Sequence, residues 1–82
     1  MADDKLKTYY FKRNGDLHST QLKPRPDVFF TEYTTYLDDG TTHTSGLMTS
    51  LIRAMIDGEE VPNCVLLSKE EFDEELNWLL IK

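Results

Sequence analysis

The dipeptide Asn14-Gly15 constrains this chain more than any other feature, because it stands between two segments of alternating apolar and polar residues. Asn-Gly suits a two-residue type I′ turn, in which both central residues need positive φ, and such a turn fixes the register of the strands it joins. A two-residue loop places Arg13 opposite Asp16, Phe11 opposite His18 and Tyr9 opposite Thr20. Side chains alternate across a strand, so Tyr9, Phe11, His18 and Leu22 share one face and Leu6, Tyr10 and Leu17 the other. The first face carries more aromatic surface and is expected to meet the core.

Beyond the hairpin, Lys23-Pro24-Arg25-Pro26-Asp27 ends the sheet strand, because proline cannot donate to a ladder. Val28 to Leu37 reads as the longest strand, Asp38-Asp39-Gly40 as a turn and Thr41 to Thr44 as a short returning strand. The two hairpins echo each other in their turn and strand formers, a repeat of chemistry rather than of ancestry. From Gly46 the apolar period becomes helical, with Leu47, Met48, Leu51, Ile52, Met55 and Ile56 on one stripe. Thr44 or Ser45 is placed to cap that helix and Gly58 to end it. Cys64 to Leu67 fits a short buried strand. Ser68-Lys69-Glu70-Glu71 is a capping box, with Leu67 and Phe72 as its hydrophobic staple, and opens a last helix running through Trp78. Phe72, Leu76, Leu79 and Leu80 are expected to face inward, and Trp78 either wraps the sheet edge or stays exposed. The order ββββα(β)α predicts an α+β fold: an antiparallel sheet of two β-hairpins, with Cys64–Leu67 a candidate fifth strand, covered on one face by two helices.

At 82 residues the chain is expected to form a single small domain, residues 1–82, with a modest core and little room for an internal ligand cavity. Cys64 is the only cysteine, so no internal disulfide forms, and the thiol reads as a buried small hydrophobe. The lack of a cysteine framework suits a reducing cytoplasm. Residues 1–5 carry acid and no apolar run, unlike a signal peptide, and Trp78 to Ile81 is too short an apolar run to span a bilayer. A cytoplasmic protein is the expectation.

The residues that catalysis would require are not assembled in this sequence. His18 and His43 each follow a turn glycine by three residues, yet zinc sites use three or four ligands at recognisable spacing. Neither a metal nor another cofactor is therefore expected. The serines at 45, 50 and 68 suit caps and helix surfaces, the four glycines are isolated, and the carboxylates of the last helix repel one another. These patterns point away from an enzyme and from a small-molecule substrate.

Charge distribution points toward binding. Residues 1–26 hold six cations against three acids, whereas residues 27–82 hold three cations against twelve acids, giving the overall −6. Glu59, Glu60, Glu70, Glu71, Asp73, Glu74 and Glu75 form a dense acidic segment suited to docking on lysines and arginines of a partner. A basic surface of that kind often holds nucleic acid, so carboxylates in the phosphate positions would exclude it. In size and charge the chain resembles small acidic inhibitors from phages and mobile elements that block nucleic-acid-handling host proteins, such as defence nuclease complexes. Two alternatives stand beside this reading. Lys7, Tyr10, Lys12 and Arg13 interleave cations with aromatic rings, as single-stranded nucleic-acid binding requires. A hairpin edge, or the face bearing Tyr10 and Leu17, could instead pair with a second copy in a homodimer or assembly.

Overall fold

The backbone at Asn14 and Gly15 has φ of 55° and 86°, the positive pair that a type I′ turn demands. It joins β1 (Lys7–Arg13) to β2 (Asp16–Leu22) in the expected register, with Phe11 opposite His18 and Arg13 opposite Asp16. The computed structural model describes residues 6–23 and 29–81. The Pro24–Pro26 break and Val28 lie outside the described residues. Further along, β3 (Phe30–Tyr36) and β4 (Thr42–Met48) form the second hairpin, followed by α1 (Thr49–Ile56), β5 (Cys64–Leu67) and α2 (Lys69–Leu80). One antiparallel sheet of order β4-β3-β2-β1-β5 results, an α+β fold in the order ββββαβα.

The second hairpin departs from expectation. β3 is no longer than β1, β2 or β4, and β4 runs four residues past Thr44. Leu47 and Met48 satisfy either period, and pairing with β3 decides the matter: Leu47 is buried opposite Thr31 while Met48 is exposed opposite Phe30. The helix therefore starts at Thr49, with Met48 as N-cap and no side-chain cap. The Thr49 N–H donates to the Phe29 carbonyl at 2.9 Å, and its hydroxyl shares a 2.7 Å hydrogen bond with that of Thr31. At the other end Gly58, with φ of 84°, closes a Schellman motif: its N–H bonds Met55 O, and the Glu59 N–H bonds Ala54 O.

The helices cover opposite faces, not one. Phe11, Leu22, Tyr33 and Leu47 pack with Ile52 and Met55 of α1 in the main core, with Tyr9 and Cys64 partly buried beside it. On the other face Phe72 of α2 lies against Tyr10, ring centroids 4.2 Å apart, and Tyr36 at 5.2 Å. The topology requires this arrangement. α1 leaves the β4 edge and must cross the whole sheet to reach β5 at the far edge. By then one face is occupied, while Tyr10 and Leu17 on the other still need cover. Tyr10 and Leu17 are accordingly covered by α2. β5 is an edge rather than a buried strand, and Val65 is 59% exposed. Cys64, half-buried, flanks the main core. α2 begins with the complete capping box, Ser68 Oγ accepting from Glu71 N–H and Glu71 Oε1 from Ser68 N–H.

His18 is buried between the rings of Phe11 and Tyr33, with Nδ1 3.0 Å from the Thr35 hydroxyl. Burial lowers its pKa below the ordinary 6.5, against the opposing pull of an Arg13 backbone hydrogen bond and Asp16. The unfolded chain then binds more protons than the fold as pH drops below 6.5, so this contribution to stability is complete above that value and is lost on acidification. Urea midpoints are expected to fall between about pH 7.5 and about pH 5.5, and His18→Gln to flatten that slope. An unchanged slope in the variant would assign the loss to other groups.

Candidate protein-binding face

Helical geometry sorts the acids of α2. Successive residues advance by 100°, so with Phe72 inward Glu70, Glu74 and Trp78 fall on the outer stripe, continued by Ile81 just past the last turn. Glu70, Glu71, Asp73 and Glu74 are exposed and Glu75 is half-buried. Trp78 is 72% and Ile81 74% exposed, so the tryptophan does not wrap the sheet edge. Leu80, expected inward, is 48% exposed as well. The inward stripe reduces to Phe72, with Leu76 and Leu79 half-buried.

Three of the acids already have internal partners. Glu75 accepts a 3.3 Å hydrogen bond from Lys12 Nζ, linking the acidic helix to the basic hairpin. Asp73 accepts from Lys69 Nζ at 2.9 and 3.1 Å, which holds the lysine above its usual pKa. Glu71 closes the capping box. Among the described residues Glu70 and Glu74 have no ion pair, which leaves them as the acids of the outer stripe that are free to meet an external cation.

Glu59 and Glu60 are exposed but stand apart from Glu70 and Glu71. Their loop joins the sheet at the hairpin turn, where the Asn14 N–H donates to Asn63 O at 2.9 Å, whereas Glu70 and Glu71 lie past the far end of β5. The acidic segment, continuous in sequence, thus divides between the two ends of β5.

The basic hairpin is divided too. Lys7 and Arg13 share the face of Phe11, while Tyr10 and Lys12 share the α2 face. The Tyr10 ring is stacked by Phe72, with Lys69 Nζ 5.7 Å from its centroid, and Lys12 is ion-paired. The aromatic platform that single-strand binding needs is thereby occupied by the chain's own helix. His18 and His43 lie in one cross-strand row with Thr35 between them, and no cluster of three potential metal ligands occurs among the described residues. No described helix is long and apolar enough to cross a membrane.

The sequence marks Glu70 and Glu74 as docking acids and leaves Trp78 open between wrapping the sheet edge and staying exposed, without joining them into one face. Trp78 and Ile81 follow Glu74 at helical spacings of four and three, a signal that the acids alone obscured. No protein family, no characterised protein and no solved structure matches the chain.

Proposed function

We propose that this domain is a small acidic protein-binding module that docks the outer face of α2 onto a positively charged protein surface, one that a nucleic acid otherwise occupies. One observation carries the reading: Glu70, Glu74, Trp78 and Ile81 form a single exposed stripe, two acids followed by two large apolar side chains. A stripe from 70 to 81 is about 16 Å long at 1.5 Å per residue, ample for a focused contact. An exposed tryptophan supplies the anchor typical of binding hot spots, and rim carboxylates steer a basic partner and exclude an acidic one. The role is one of binding rather than catalysis, and an inhibitor acting by negative-charge mimicry is its most specific form.

The test begins with capture by the immobilised domain from the native host's lysate, with and without nuclease treatment. A basic protein retained after nuclease treatment is the expected result. Trp78→Ala is expected to cost about 2 kcal/mol of affinity, or roughly thirtyfold. Reversal of both Glu70 and Glu74 to Lys should slow association and remove its salt dependence. Binding that is indifferent to both changes would place the interface elsewhere.

A further inference from the structure

We infer that β4 is a self-recognition edge, and that two copies of this chain pair through antiparallel β4 strands to make one continuous sheet. This inference is independent of the α2 reading, since β4 and β5 are opposite edges of the sheet.

Among the described residues no strand pairs the outer side of β4, and its open groups follow a defined pattern. In an antiparallel ladder, residues alternate between bonding their partner strand and pointing away. Two bonds bracket the β3–β4 hairpin and fix the phase: Leu37 N–H donates to Thr41 O at 3.0 Å, and Thr49 N–H to Phe29 O at 2.9 Å. His43, Ser45 and Leu47 therefore bond β3, while the backbone groups of Thr42, Thr44, Gly46 and Met48 point outward. That set is self-complementary about Ser45. A dyad there puts Thr44 opposite Gly46 of the second copy, Gly46 opposite its Thr44, and Met48 opposite its Thr42. The carbonyl of Met48, as N-cap, serves α1, so about six hydrogen bonds cross the dyad.

Gly46 supplies a second observation. It does not adopt positive φ, and a Cβ built on it meets nothing within 4 Å. Glycine in a strand commonly marks a place where another backbone or side chain comes close, and Thr44 of the second copy would fill that space.

The edge itself carries no Lys, Arg, Asp or Glu that would oppose a second copy. Edge strands are ordinarily protected by lysine, other charges, proline or a bulge, and Thr42–Met48 contains no Lys, Arg, Asp, Glu or Pro. Elsewhere the −6 chain repels itself. Asp39 binds Thr41 at the end of β4 away from the dyad, and the acid beside the dyad is Glu32, paired with Gly46 on β3. By strand spacing and rise, the two copies of Glu32 lie about 16 Å apart, beyond the roughly 8 Å Debye length at physiological salt.

Sedimentation equilibrium between about 10 μM and about 1 mM spans the range in which so small an interface associates, and a monomer–dimer equilibrium is expected there. Amide exchange at Thr44 and Gly46 should slow as concentration rises. Thr44→Pro replaces an outward N–H without touching the β3 ladder and should abolish dimerisation. Thr44→Lys and Thr44→Glu bring like charges within about 8 Å across the dyad, so each should weaken self-association several-fold. An equimolar mixture of the two should restore it, which a variant that merely misfolded could not do. A wild-type chain that stays monomeric at the highest concentration, or a dimer unaffected by Thr44→Pro, overturns the inference.

Discussion

Phe72→Ala is expected to release α2 from the sheet and to cost about 3–5 kcal/mol, the range for truncating a buried aromatic. Phe72 is the one fully inward residue of that helix, and it contacts both Tyr10 and Tyr36. Its loss removes the contact that seats the helix, leaving Leu76, Leu79 and the Lys12–Glu75 pair, and a half-exposed ion pair contributes at most about 1 kcal/mol. The measurement is far-UV circular dichroism with residue-resolved amide exchange. Protection should vanish across Lys69–Leu80 while β2 and β3 retain theirs. Simultaneous loss in α2 and the sheet would mean that the two faces unfold as one.

Phe11→Ala is expected to cost a similar amount but to act on the whole molecule. Phe11 and Ile52 are the largest fully buried side chains, and Phe11 sits where β1 meets the rings of His18 and Tyr33. So small a domain has a stability of only a few kcal/mol, so the variant should be largely unfolded at 25 °C. Urea titration is the check: a residual cooperative transition with an unchanged midpoint would show that the core does not depend on this ring.

The contrast between these variants reflects what could be read from the chain. Asn14-Gly15 fixes a register because only one short turn suits it, and Ser68 with Glu71 fixes a helix start because the motif is local. The second hairpin resists because Leu47 and Met48 fit both periods, and only pairing with Phe30 and Thr31 chooses between them. Both faces of the first hairpin are apolar, Tyr9 and Phe11 on one and Tyr10 and Leu17 on the other. From the sequence both helices are nonetheless expected on one face, because the assignment depends on the crossover of α1. The candidate site was half legible for a related reason. The acids of α2 are plain in the sequence, whereas the engagement of Glu75 by Lys12, 63 residues away, is a product of tertiary structure.

The pairing of β5 with β1 has a consequence for how the chain reaches its structure. The first two hairpins close over turns of a few residues, but Cys64 must find Arg13 across some fifty intervening residues, and closing such a loop carries a larger entropic cost. The β5–α2 segment is thus expected to join last and to leave first. While it is absent, β1 becomes an edge strand with Tyr10 and Leu17 uncovered beside it. A chain in which this segment has not yet docked is a sticky intermediate, and the speed of the final docking step sets how much of it aggregates.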